Sequence, residues 1–104
     1  MEALSPTPII YSGEHTSRFR PRPYVVWTAH PDATVILDAD RGQYYTLNGV
    51  AARIWELLTA GEPMLAILQA LEDEYEIERT RCEADLTELL TQLRALELIE
   101  ELGS

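Results

Sequence analysis

Apolar and polar positions in the first half of the chain follow the two-residue period of β-strands. Three short runs rich in β-branched and aromatic residues, at 24–28, 34–38 and 43–47, are bounded by residues typical of turns. Residues 39–42, between the second and third runs, have the length of a hairpin loop in which Gly42 takes a positive φ. Three short strands are not stable alone, so we expect helices packed against one face of their sheet.

The second half of the chain follows the 3.6-residue period of amphipathic helices. Asn48 is a good N-cap for a first helix, which ends near Gly61. Pro63 suits the first turn of a second helix, and Thr80 and Glu83 have the spacing of a capping box for a third. The predicted apolar faces of the three helices are, in order, Val50, Ile54, Leu57 and Leu58; Leu65, Leu68, Leu71 and Tyr75; and Cys82, Leu86, Leu89, Leu90, Leu93 and Leu96.

This order of elements predicts an α+β fold, winged helix-turn-helix-like, with a three-stranded antiparallel sheet followed by three helices in residues 24–102. Residues 1–23 contain four of the six prolines and no sustained periodicity, so we expect an extended or disordered arm. Within it, residues 9–11 are apolar enough to dock on the body as a short strand. The arginine-rich run 18–22 is expected to contact either the chain's own acidic helices or a partner.

Charge is distributed unevenly between the two halves. The chain of 104 residues has a net charge of −10, and residues 56–104 carry all of this excess because acids and arginines balance in residues 1–55. A winged helix that binds DNA presents positive charge on its recognition helix, whereas the third helix here carries more acids than arginines. Nucleic acid is therefore not an expected partner.

The sequence contains no recognisable catalytic apparatus. Cys82, the single cysteine, falls on the apolar face of the third helix, and His15 and His30 lie in the arm and in a turn. Residues 38–42 begin like a calcium loop but have glycines where that loop needs its ligands at positions five and twelve. We therefore expect no enzyme activity, metal or cofactor. With no membrane span or signal peptide in the sequence, the expected compartment is the cytoplasm.

The third strand has an edge of interest. If the first two strands pair, the third keeps one free edge, and it lacks the charge or proline that usually protects an exposed edge. Such an edge can accept an extended peptide as an added strand. The alternative is an ordinary strand, with Tyr45 and Leu47 facing the core and Tyr44 and Thr46 facing solvent.

Residues 35–58 resemble the PqqD-like domains that act as recognition elements in the biosynthesis of ribosomally made, modified peptides. The resemblance extends over about residues 24–99. The shared features are Leu37-Asp38 at the end of an apolar strand, the turn glycine Gly42, Tyr45-x-Leu47-Asn48, and a helix with Ile54-Trp55-x-Leu57-Leu58.

The resemblance implies a non-catalytic protein that binds the leader of a precursor peptide and presents it to partner enzymes. A separate small subunit of this size is typical of lasso-peptide pathways, where the partners are a leader-removing cysteine protease and possibly a cyclase. Two alternatives stay open: a PqqD-type peptide chaperone in cofactor biosynthesis, and a structural or regulatory winged-helix module that dimerises.

We predict that the leader pairs along the third strand and places apolar side chains in a groove beside the third helix. Arg94 or Arg81 is expected to meet an acidic leader residue. The predicted peptide-binding residues are Gln43, Tyr44, Tyr45, Thr46, Leu47, Cys82, Asp85, Leu86, Leu89, Leu90, Leu93 and Arg94.

Overall fold

A computed structural model describes residues 17–102 of the chain. In chain order its elements are β1 (Phe19–Pro21), β2 (Val25–Ala29), β3 (Ala33–Asp38), β4 (Gln43–Asn48), α1 (Gly49–Thr59), α2 (Met64–Tyr75), α3 (Arg79–Ala95) and β5 (Ile99–Glu101). The three-stranded antiparallel sheet and the three helices after it confirm the predicted α+β fold. The expectation that residues 9–11 dock as a strand lies outside the described residues.

The main sheet has the strand order β2-β3-β4, and both of its pairs are antiparallel. Trp27, Ile36 and Tyr45 lie opposite one another in the row of side chains that faces the helices. In the hairpin between β3 and β4, Gly42 has a φ of 69°, and its N–H donates to the Asp38 carbonyl at 2.7 Å. Side chains that alternate along the strands therefore lie alternately on an inner, apolar face and on an outer face of the sheet.

A second, two-stranded sheet is formed by β1 and β5, which lie near opposite ends of the described residues in sequence. Phe19 is only 3% exposed, and Arg20 Nε donates to Glu100 Oε2 at 2.8 Å. The sequence placed the start of the folded domain at residue 24, and this boundary is wrong because residues 19–21 belong to the core-forming body. The arginine side chains of the run 18–22 donate to β5 and to the loop after α1, where Arg18 Nε bonds to the Gly61 carbonyl, and not to the acidic side chains of the described helices.

The three helices begin at or near their predicted starts, but their capping chemistry differs from the prediction. Asn48 is the N-cap of α1, although its side chain makes no capping hydrogen bond. Pro63 is the N-cap of α2, one position before its predicted place. The predicted capping box of α3 does not form at Thr80 and Glu83, because Glu78 is the N-cap and Thr80 already lies inside the helix.

The buried face of α2 differs from its prediction by part of a turn. Leu65 and Tyr75 are 37% and 40% exposed, and Met64 and Ile67 are buried instead. The first turn of α2 is apolar on more than one side, so periodicity alone does not decide which side is covered. Packing of α2 against α1 and α3 decides it.

One core lies between the main sheet, the small sheet and the helices, and α1 crosses it, touching both sheets and both other helices. Trp55 of α1 is buried at the centre, and its ring meets that of Trp27 edge-on, with 5.6 Å between the centroids. The buried apolar side chains are Phe19, Val25, Ile36, Ile54, Trp55, Leu58, Met64, Ile67, Leu68, Leu71, Cys82, Leu86, Leu89, Leu90, Leu93, Leu98 and Ile99.

Candidate peptide-binding site

The outer edge of β4 has no partner strand within residues 17–102. Tyr45 and Leu47 are half-buried and pack against the core, whereas Tyr44 is 68% exposed and Thr46 is exposed. This is the alternation that the sequence predicts. The strand presents no charged side chain to solvent, since its exposed residues are all neutral.

The hydrogen-bond alternation shows which backbone groups of β4 point outward. His30 and Ala33 exchange both of their backbone hydrogen bonds across the β2–β3 turn, so every second residue of β3 from Ala33 onward bonds to β2. The residues between them bond to β4, where their opposite partners are Gln43, Tyr45 and Leu47. The N–H and C=O groups of Tyr44 and Thr46 therefore point to the free edge.

A cavity of about 190 Å³ opens between α1 and α3. Its walls are Val50, Ala51 and Ile54 from α1 and Asp85, Glu88, Leu89 and Gln92 from α3. An apolar cavity of roughly 150 Å³ can hold a molecule the size of benzene, so this one has room for a large apolar side chain. We call it the α1/α3 pocket.

The α1/α3 pocket and the β4 edge are neighbours because β4 runs directly into α1. β4 ends at Asn48, and Gly49, with a φ of 56°, turns the chain abruptly into the helix. Val50, which lines the pocket, is two residues beyond the last residue of the edge. The open edge and the pocket are therefore only two residues apart along the chain.

Most of the α3 residues predicted to line a groove are buried in the core instead. Cys82, Leu86, Leu90 and Leu93 are between 0% and 4% exposed, so this part of the predicted groove is wrong. The reason is that a continuous apolar stripe on a helix is the face that packs against the rest of the fold.

Two of the predicted α3 residues do line the α1/α3 pocket. These are Asp85 and Leu89. Arg94 is elsewhere: its guanidinium carbon lies 5.6 Å from the centre of the Phe19 ring, beside β1. Arg94 is therefore not placed to meet a peptide in the pocket.

Sequence reasoning missed Glu88 and Gln92 on α3 and the α1 residues of the pocket. A signal for the first two is present, since positions 85, 88, 89 and 92 share one face of a helix by i, i+3, i+4 spacing. This face is mixed apolar and acidic, so by pattern alone it looks like an ordinary solvent-exposed side.

The pocket has an apolar floor and an acidic rim. Asp85 Oδ2 lies 3.6 Å from Arg81 Nε, which is a loose ion pair because the Arg81 side chain is 71% exposed. Glu88 makes no ion pair with any of the residues that the structure describes. Negative charge at the mouth of the pocket is therefore only partly compensated.

Cys82 has neither the exposure nor the electrostatics of a nucleophile. Burial raises the pKa of its thiol, as do the nearby carboxylates of Glu72 and Asp85, and the Sγ contacts the Ile77 carbonyl oxygen at 3.7 Å. The thiolate, which is the reactive form, is thus disfavoured at neutral pH. No group of three or more histidine, cysteine, aspartate or glutamate side chains in residues 17–102 could hold a metal ion.

An ion-pair cluster joins the hairpin before β4 to the turn that follows α3. Arg41 bonds to Asp38 with its backbone N–H and its Nη1, and to Glu97 with its Nη2. Burial alone raises the pKa of the Asp38 carboxyl, but the hydrogen bonds from Arg41 outweigh it and hold that pKa below its ordinary value. The cluster helps to fix β4 relative to α3.

The described helices include none that is long and apolar enough to cross a membrane. The family model of coenzyme PQQ synthesis protein D (PqqD) matches residues 33–99, which include β3, β4 and all three helices. The chain belongs to the PqqD family. The resemblance found in the sequence is thereby confirmed. No protein of curated function matches the chain significantly.

Two solved structures are similar to this PqqD-family chain over most of its length. One is TbiB1 in complex with the TbiA(β) leader peptide, with 33% identity, a TM-score of 0.75, and coverage of 82% of this chain and 99% of that chain. The other is lasso peptide synthetase B1 complexed with the leader peptide, with 35% identity, a TM-score of 0.74, and coverage of 80% and 98% respectively.

Proposed function

We propose that this protein binds the leader of a precursor peptide as an added strand on β4, with an apolar leader side chain in the α1/α3 pocket. One observation carries the proposal: the outward backbone groups of Tyr44 and Thr46 lie next to an apolar pocket of side-chain size. The two similar structures support it, since both are complexes with a leader peptide.

The two parts of the site contribute different terms to binding. Each backbone hydrogen bond to the edge adds about 0.5–1.5 kcal/mol, and these bonds do not depend on the leader's side chains. Burying one large apolar side chain in the pocket adds about 1.5–3 kcal/mol. The edge therefore provides affinity for any extended segment, and the pocket selects which segment binds and in which register.

The biological role we propose is presentation of the leader in lasso-peptide biosynthesis. The protein has no catalytic part in it: it holds the leader while a separate leader peptidase and a cyclase act on the precursor. The similarity to lasso peptide synthetase B1 supports this pathway over a PqqD-type role in cofactor biosynthesis. The buried, protonated Cys82 supports a binding role over a catalytic one. The net charge of −10 on residues 56–104 argues against nucleic acid as the partner.

The test is a titration of the purified protein with the leader of the precursor encoded beside its gene, and with a scrambled leader as control. We expect saturable binding of the true leader, and backbone amide shifts that cluster at residues 43–47 and on the walls of the α1/α3 pocket. Shifts confined to the acidic α2 surface at residues 72–78 would show that the binding surface is wrong. A protein that is dimeric at micromolar concentration and indifferent to the leader would instead favour the dimerisation module.

A further inference from the structure

The rim of the α1/α3 pocket is charged on one side only. Asp85 and Glu88 are neighbours on α3 and line the pocket together with Leu89, which is 7% exposed. The α1 wall opposite them is entirely apolar, being formed by Val50, Ala51 and Ile54. A side chain that enters the pocket therefore passes two carboxylates on one side and hydrocarbon on the other.

The surroundings only partly neutralise these two carboxylates. Asp85 forms an ion pair with Arg81, and this pair is loose, with 3.6 Å between the charged atoms and a mostly exposed arginine side chain. Arg94, on the same helix, is turned away towards Phe19. Arg53 of α1 is engaged by Glu74 at 2.7–2.8 Å and by Glu56 at 2.9 Å. The mouth of the pocket thus carries net negative charge, within a helical half that itself carries the excess of −10.

Resting on the proposed function, we infer that the α1/α3 pocket selects a leader segment with a bulky apolar anchor and a lysine or arginine close to it. The anchor fills the apolar floor, and the cationic side chain meets Glu88 and Asp85 at the rim. Side chains two positions apart on an extended peptide lie about 6.5–7 Å apart on the same face. This matches the spacing of Leu89 on the floor and Asp85 on the rim, since residues four apart on a helix have Cβ atoms about 5–6 Å apart. This inference differs from the sequence-based expectation of an acidic leader residue.

Glu88 and Asp85 act here as specificity-determining residues. A glutamate in the leader at the same position would be repelled by the rim, so discrimination comes from attraction and repulsion together. Because both carboxylates are accessible to water, each contact is modest and sensitive to salt. We expect a peptide with lysine at this position to bind about threefold to tenfold more tightly than its glutamate counterpart at low salt.

The experiment is a selection from a displayed library of random twelve-residue peptides, carried out in parallel on the wild-type protein and two variants. Glu88→Lys reverses the charge at the rim. Asp73→Lys makes the same change in net charge on the exposed surface of α2, away from the pocket, and is the matched control. Circular dichroism confirms that all three proteins are folded. One enriched peptide is then made with lysine, glutamine or glutamate beside its anchor, and its affinity is measured at low and high salt.

We expect wild type and Asp73→Lys to enrich peptides with a large apolar residue and a lysine or arginine at a fixed short spacing. Glu88→Lys should lose this cationic preference and favour aspartate or glutamate at the same spacing. Enriched anchors without any charge preference, or a preference that is unchanged in Glu88→Lys, would overturn this inference and leave the proposed function standing. A preference that both variants lose equally would also overturn it, since the effect would then come from net charge. Failure to enrich any peptide on the wild type would contradict the proposed function itself.

Discussion

Two faces of α3 lie side by side around the helix axis. One is covered by the rest of the fold, and the other is open to solvent. Cys82, Leu86, Leu90 and Leu93 are buried against the rest of the fold. Asp85, Glu88, Leu89 and Gln92 line the α1/α3 pocket and are reached from solvent. The first face holds the domain together, and the second face is the one that we propose to contact the leader. The most conspicuous apolar stripe of α3 therefore belongs to the core, while the candidate site lies beside it and is partly polar.

The two edges of the main sheet differ in a similar way. Both β2 and β4 pair with β3 only, so each leaves one edge unpaired within residues 17–102. Part of the β2 edge is already used, since the Val25 N–H donates to the Arg22 carbonyl at 3.0 Å. The β4 edge continues into α1 and the pocket, whereas the walls of that pocket include no residue of β2. The β4 edge is therefore the candidate site because the α1/α3 pocket lies next to it, and not because it is unpaired.

The largest expected effect comes from placing a charge on the buried face of α3. Leu90→Asp should destabilise the fold by about 3–5 kcal/mol, because it removes a core side chain and buries an unpaired carboxylate. Chemical denaturation followed by circular dichroism measures this effect. Gln92→Asp, on the exposed pocket side of the same helix, is the matched control and should stay close to wild type. Equal stability of the two variants would mean that the two faces do not differ as described.

A smaller effect is expected from filling the α1/α3 pocket. Ala51→Leu adds bulk to the half-buried α1 wall and should weaken leader binding about tenfold, since most of the apolar contact worth about 1.5–3 kcal/mol is lost. The free energy of unfolding should change little, because the added side chain enters open space and not the core. Isothermal titration calorimetry with the leader peptide gives the affinity. Undiminished binding by a folded Ala51→Leu protein would remove the pocket from the site.

The two edges can be separated by proline. Thr46→Pro removes an N–H that points to the free β4 edge, and should weaken leader binding by about 0.5–1.5 kcal/mol, the value of one hydrogen bond. Ala29→Pro is the matched change on the β2 edge, where by the same alternation its N–H also points outward. The same titration should find that Ala29→Pro keeps wild-type affinity. If Ala29→Pro proved the more harmful of the two, the leader would have to be assigned to the β2 edge.

The smallest effect concerns the ion-pair cluster that ties the β4 hairpin to α3. The folded-state pKa of Asp38 is lowered from its ordinary value of 3.8, so its contribution to stability is complete above that value and is lost as the pH falls through the folded-state pKa. The unfolding midpoint, measured between pH 7 and about pH 2, should decrease as the pH falls through the folded-state pKa of Asp38. Asp38→Asn should lower the midpoint at pH 7 and flatten the acidic part of the profile. A profile of the same shape in this variant would place the pH dependence in other carboxylates, such as Glu72 and Glu74.

Where a prediction depends on neighbours along the chain, sequence and structure agree closely. The strands predicted at 34–38 and 43–47 are observed at 33–38 and 43–48, and Asn48 begins α1 as expected. The inward and outward sides of β4 are also those predicted, because alternation along a strand is a local property. The family resemblance, which rests on the same local run, is confirmed by the match over residues 33–99.

The features that the sequence missed depend on contacts between distant parts of the chain. β1 and β5 are three residues each, too short to show a period, and their pairing brings Phe19 opposite Glu101. The true buried side of α2 follows from its neighbours α1 and α3, since its first turn is apolar on more than one side.

By itself, then, the sequence determined the elements, their order, the fold class and the strand whose edge is open, because periodicity and turn chemistry are written in consecutive residues. Only the tertiary structure decided that Leu86 and Leu90 belong to the core and that Glu88 and Ala51 line a pocket. The physical reason is that periodicity shows which side of a helix is apolar, whereas the packing of α1 against α3 determines which part of α3 remains uncovered.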